Sequence, residues 1–125
     1  MGNRAMPMNS AASGSLFRAL ALALPQAEEK SLFGKANFRM RNKIFAGFTG
    51  TGFAYVKLTP DQQDMICAAE PLVTPIKGGW GRQGWTQIDH TGADDALLQN
   101  LLLTAWCNVA PKSLQKKRGR MNRPL

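Results

Sequence analysis

Two hydrophobic periods occur in this chain, and no all-helical or all-strand fold satisfies both. Phe38 and Met40 alternate with Asn37, Arg39 and Arg41, and Ile44, Ala46 and Phe48 follow after a turn. A period of two is the mark of strands with one buried face. Towards the C-terminus, Leu97, Leu98, Leu101, Leu102, Ala105, Trp106 and Val109 form one continuous apolar face at helical spacing. The chain has 125 residues, the size of a single domain, so strands and helices must share one core. The expected class is α+β: three helices and one antiparallel sheet of four to six strands, backed by the N- and C-terminal helices.

Local signals place the elements. Residues 1–14 are rich in Ser, Ala, Gly, Asn and Met without periodicity and read as a loose leader. A helix is expected from Ser15, with Leu16, Leu20 and Leu24 on one stripe and Pro25 closing it. Arg41-Asn42 reads as a tight hairpin turn, because Asn tolerates positive φ. A second turn at Thr49–Gly52 leads into a third strand, Phe53 to Leu58. Thr59-Pro60-Asp61-Gln62 has the form of a capping box with proline at the first helical position, opening a helix that runs to about Glu70. Residues 72–77 form an expected strand that Pro75 confines to an edge or a bulge, and Trp85 to Asp89 form another. Between them, Gly78 to Gly84 reads as a flexible loop. The domain is expected over residues 15–112, followed by a basic, flexible tail at 113–125.

Charge bounds the partners. The net charge is +8, but Lys112, Lys116, Lys117, Arg118, Arg120 and Arg123 follow Pro111 without an acidic residue among them. The rest of the chain holds ten basic against eight acidic residues, a balance of +2. A tail of this kind meets phosphates and leaves base edges unread. DNA or RNA binding through it is expected to be weak, salt-sensitive and largely lost with residues 113–125. On the body, the candidate contacts are Arg39, Arg41, Lys43, Lys57, Lys77 and Arg82, joined in the tail by Lys116, Lys117, Arg118 and Arg120. Trp80 and Arg82 share the glycine loop, an aromatic–basic pair that suits stacking on a base and equally suits a loop packing on the sheet edge. The alternative is a protein-interaction or small-ligand domain whose basic tail is incidental.

Catalytic and metal chemistry find little support. Gly79-x-Gly81-x-x-Gly84 matches the dinucleotide pattern formally, but a strand-like segment follows where a helix is required. His90 is the only histidine; it sits beside Asp89 at a strand end, is expected to be exposed, and has no recognisable nucleophile partner. Glu28-Glu29 and Asp94-Asp95 are adjacent pairs whose side chains point apart on a helix, which suits capping or solvation. Cys67 and Cys107 lie in helical patterns among apolar residues and are expected buried and reduced. The run Leu16–Leu24 is interrupted by Arg18 and is too short to span a bilayer. The expectation is a cytoplasmic, monomeric, non-enzymatic protein without membrane contact, cofactor or metal.

The order of short motifs resembles a family. Leu24-Pro25-Gln26-Ala27-Glu28-Glu29 precedes Leu32-Phe33-Gly34, then Phe38 to Ala46, then Val56-Lys57-Leu58 before the capped helix. Gly84-Trp85 precedes the last helix, which closes with Ala105-Trp106 and Val109-Ala110-Pro111-Lys112. Over residues 15–112 this resembles the MmcQ/YjbR family of small bacterial proteins. The resemblance implies an antiparallel sheet backed by helices, a fold grouped with frataxin and compared with a double-wing DNA-binding domain of a phage transcription factor. Members are often labelled DNA-binding by that analogy, which speaks of fold more than of activity. Frataxin-like iron binding needs a ridge of carboxylates, which this chain does not offer.

Overall fold

The capped helix at Thr59 shows how local chemistry sets the frame. In the computed structural model, which describes residues 10–32, 34–50 and 52–113, the Thr59 hydroxyl accepts from the Gln62 amide. The Gln62 side chain accepts from the Thr59 amide in return. This closes the expected capping box and starts a helix, α2, at Pro60–Ala69. The remaining elements are α1 (Ser10–Leu22), β1 (Ala27–Leu32), β2 (Lys35–Met40), β3 (Lys43–Gly50), β4 (Phe53–Lys57), β5 (Val73–Pro75), α3 (Gly79–Arg82), β6 (Trp85–Asp89) and α4 (Asp95–Val109).

The six strands of the described residues form one open antiparallel sheet in the order β1-β2-β3-β4-β6-β5. The first four run as a meander. The tight turn between β2 and β3 has positive φ at both Arg41 (51°) and Asn42 (71°), the geometry that matches the twist of a hairpin. β5 lies at the edge of the sheet, the first of the two places open to Pro75.

One face of the sheet carries the core. Phe38, Met40, Ala46, Ala54, Val56 and Ile88 point to it and are fully buried. Above them, α4 lays down Leu98, Leu101, Leu102, Ala105 and Trp106, all buried, as the helical period required. Asp94 caps this helix by accepting from the Leu97 amide. The Trp106 indole donates to the Pro25 carbonyl at 3.0 Å, tying α4 to the turn after α1. Phe17 of α1 enters the same core, its ring centroid 5.3 Å from Phe48 and 6.1 Å from Phe38.

Several expectations change. The helix α1 starts at Ser10, five residues ahead of the point where its apolar stripe becomes visible. Glu28 and Glu29 lie on β1, not on a helix; they still point apart, because neighbours on a strand face opposite sides. Glu29 accepts two hydrogen bonds from Arg18 of α1, at 3.0 and 2.8 Å. His90 is buried at 2% exposure, its ring packed against Phe48 and Phe17. Its chain position at a strand end suggested solvent, but Gly14 of α1 and Phe48 cover it. Cys67 and Cys107 are unbridged and half-buried rather than fully buried. Burial, aided by the nearby Asp64 carboxylate, pushes the Cys67 thiol above its ordinary range.

Residues 78–84 are a helical turn, α3, bound tightly at its C-terminal side. A Cβ at Gly81 would fall on the Ile76 carbonyl oxygen. Gly84 takes φ of +104°, and a Cβ there would meet the Leu58 carbonyl oxygen. Side-chain-free backbone lets this turn approach the sheet closely. The buried Gln63 amide then clamps it, donating to the Gly81 and Trp85 carbonyls and to the Thr86 hydroxyl at 3.0 to 3.2 Å.

Candidate functional site

The second face of the sheet has no helix layer among the described residues, and its side chains follow from the register. Lys30, Asn37, Gly47, Tyr55, Gln87 and Thr74 are partners in turn across all six strands and form one transverse row. The next row carries Glu28 beside Arg39, Arg39 beside Ile44, and Lys57 beside Trp85. Alternation therefore puts Lys30, Arg39, Tyr55, Lys57 and Trp85 on the face opposite the core.

The aromatic part of this face is built around one glycine. A Cβ at Gly47 would strike the hydroxyl end of the Tyr55 ring, so the missing side chain leaves room for the ring to lie across β3. Tyr55 then meets Trp85 at 5.5 Å between centroids, with planes 75° apart. Trp80, presented by α3, meets the same Trp85 at 6.1 Å and 69°. Such edge-to-face contacts are the favoured arrangement of aromatic quadrupoles. Lys57 places its ammonium 5.4 Å from the Trp85 ring centroid and donates to the Gln83 carbonyl. Trp80 stays 63% exposed.

These rings, with Ile44, Thr49 and Ile76, line a hollow of about 320 Å³. On the other side of Tyr55 lies a second hollow of about 310 Å³, bordered by Lys35, Asn37 and Thr49. Lys35 donates to the Thr49 carbonyl at 3.1 Å, and Arg39 to the Asn37 side chain at 2.8 Å. Burial raises the Tyr55 phenol above its ordinary pKa, against the opposing pull of Arg39. The phenol is therefore a neutral hydrogen-bonding group at physiological pH.

Topology also gathers the charges. The β2–β3 turn, the C-terminal end of β4, the N-terminal end of β6 and the β5-to-α3 connection all lie at one end of the sheet, as their pairings dictate. Arg39, Arg41, Lys43, Lys57, Lys77 and Arg82 all sit in these segments, so the six body residues singled out in the sequence share one end. Asn108 of α4 donates to the Lys57 carbonyl at 3.0 Å, so α4 ends there too and brings Lys112 with it. Glu28 and Asp61 are acidic at this end, Glu29 and Asp64 lie one strand residue and one helical turn farther along, and Glu70, Asp89, Asp94 and Asp95 stand at the other end. The two ends of the molecule thus differ strongly in charge. Lys116, Lys117, Arg118 and Arg120 lie outside the described residues.

Sequence reasoning missed Tyr55, Trp85, Lys30 and Lys35 as members of this surface. The alternations Phe53-Tyr55-Lys57 and Trp85-Gln87-Asp89 place the rings on a common face once the buried face is known. Among the described residues no group of three or more His, Cys, Asp or Glu side chains could hold a metal ion. None of the described helices is long and apolar enough to cross a membrane.

The sequence model of the YjbR family matches residues 22–108. No curated protein matches the chain. Among solved structures, the crystal structure of Deinococcus radiodurans protein DR2400, with a DUF419 domain, is similar at 18% identity and a TM-score of 0.66. That match covers 96% of this chain and 94% of the other. At that identity the likeness establishes the fold, an α+β sheet with helices at both ends of the chain, and nothing of the activity.

Proposed function

The chain belongs to the YjbR family, and on that fold we propose that it binds nucleic acid, without catalysis, through the basic end and the open face of its sheet. The observation that carries this reading is the gathering of Arg39, Arg41, Lys43, Lys57, Lys77 and Arg82 at one end of the sheet, next to the aromatic side chains Tyr55, Trp80 and Trp85. Lys and Arg at a common surface neutralise phosphates and release counterions. Aromatic side chains among them offer faces to bases. A near-neutral body is no obstacle, because four of the eight acidic residues stand at the far end and Glu29 is paired with Arg18, which leaves the local field positive.

This reading moves the main contact from the tail, where the sequence placed it, to the fold. Helix α4 ends at the same end, and Lys112 adds its charge there. The single histidine is packed in the core, away from the open face, which supports a binding role over a catalytic one. The apolar lining of the larger hollow also favours a second reading, a small apolar ligand or a peptide side chain. Salt separates the two: phosphate binding weakens steeply with ionic strength, and burial of an apolar group does not.

The test is fluorescence anisotropy of a labelled oligonucleotide at two salt concentrations, with the full chain and with Arg41→Glu/Lys77→Glu/Arg82→Glu. These three side chains are exposed, so the fold should tolerate the change. The variant is expected to bind every sequence more weakly and with a flatter salt dependence, by about one unit of slope for each phosphate it no longer neutralises. Unchanged affinity would refute the reading.

A further inference from the structure

Resting on that nucleic-acid reading, we infer that the hollow between Tyr55, Trp80 and Trp85 takes one unpaired nucleobase, so that this surface selects single strands over duplexes. The hollow presents almost only ring and aliphatic surface, from Ile44, Tyr55, Ile76, Trp80 and Trp85, with Thr49 at its rim. A flat heteroaromatic ring is the part of a nucleic acid that such a lining can desolvate. In a duplex the base faces are stacked on one another and offer only their edges in the grooves, for which this lining has few partners. In a single strand a base can turn out and stack, at roughly 1–3 kcal/mol per base.

The surroundings favour a nucleotide over other occupants of an aromatic hollow. A quaternary or methylated ammonium group would seek the same ring faces. Here Lys57 already holds its ammonium over Trp85, and Arg39 and Lys35 lie nearby on the same face. A cationic ligand would meet like charge, and a nucleotide brings the complementary one. The second hollow supports the same polarity of fit. It adjoins the first across Tyr55 and is lined by Lys35, Asn37 and Thr49 together with Ala36 and Phe48, and Lys35 is the charged group there that can meet the phosphate of the neighbouring nucleotide.

Trp80 makes the inference testable without endangering the fold. It is 63% exposed and rests its ring on Trp85, whereas the turn that carries it is held by Gly81, Gly84 and Gln63. The experiment titrates the full-length chain with a labelled single strand of about twelve nucleotides and with its duplex. Affinity is read by anisotropy, and stacking by quenching of tryptophan emission. The wild type is expected to bind the single strand at least about tenfold more tightly, with quenching. Trp80→Ala should lose roughly tenfold on the single strand and little on the duplex. Lys35→Gln/Arg39→Gln should weaken both. Equal affinity for strand and duplex, or an unchanged Trp80→Ala, together with a weakened Lys35→Gln/Arg39→Gln, would overturn base insertion and leave the phosphate-binding reading standing. Absence of binding to either probe at low salt would overturn both.

Discussion

Gly47 and Tyr55 face each other across β3 and β4, and the pair shows how one missing side chain shapes a surface. Gly47→Ala puts a methyl group where the Tyr55 ring lies, and the ring must leave or the strands must part. A loss of about 1–3 kcal/mol in urea unfolding is expected, the usual cost of overpacking. In a Tyr55→Ala background the same change should cost little, because the clash is gone. Equal costs in both backgrounds would show that the glycine serves another purpose. His90 carries a second expectation at this scale. Its imidazole is held below its ordinary pKa of 6.5, mainly by burial, with Asp89 pulling the other way. The unfolded chain therefore takes up a proton at a higher pH than the folded one does. Stability should be complete above pH 6.5 and fall as the pH drops from there towards the lower folded-state value. Denaturation midpoints between about pH 7.5 and 5 should decline for the wild type and less for His90→Gln, in a range above the titration of ordinary carboxylates, about 4. A flat wild-type profile over that range would contradict this.

At the scale of elements, what the sequence revealed depended on how local the cause was. The capping box at Thr59, the Asn42 turn and the apolar face of α4 each arise within a few residues, and all three stand in the structure, with Leu103 and Thr104 of α4 buried beyond the expected face. β1 was not legible, because an edge strand reading Ala27-Glu28-Glu29-Lys30-Ser31 has no apolar alternation; its pairing with β2 creates it. In the sequence the helical turn α3 reads as a flexible loop, because glycines there report freedom. Here they report close approach to the Ile76 and Leu58 carbonyls. Gln63, a polar side chain on α2, gave no sign that it would be buried under that turn. Gln63→Ala should cost about 1–3 kcal/mol through the carbonyls and hydroxyl it leaves unsatisfied. Thermal unfolding would show the loss, and amide hydrogen exchange should rise first over residues 79–84. Exchange that rises evenly over the whole chain would argue against a local clamp.

For the whole molecule, the candidate surface is a product of topology. The six body residues are spread in sequence from Arg39 to Arg82 and come together because β4 pairs with β6, returning the chain to the end where the β2–β3 turn lies. No local pattern could display that, although the residues themselves were all visible as charges. The same pairing brings Trp85 beside Lys57 and lets α3 set Trp80 against it. The tail's excess charge is prominent in composition, whereas the described residues carry a basic end of their own.

Whether the interface lies on the fold or in the tail is decided by comparing the chain lacking residues 113–125 with the full-length Arg41→Glu/Lys77→Glu/Arg82→Glu variant. Both are titrated with the same labelled single strand at low and moderate salt. The truncation removes five of the six basic residues of the tail and leaves the fold's own basic end untouched. The truncated chain should still bind at low salt, with lower affinity, a shallower salt dependence and tryptophan quenching intact. The full-length variant, tail present, should lose most of its affinity and its quenching. Abolished binding on truncation, with wild-type binding by the triple variant, would place the interface in the tail and contradict the account.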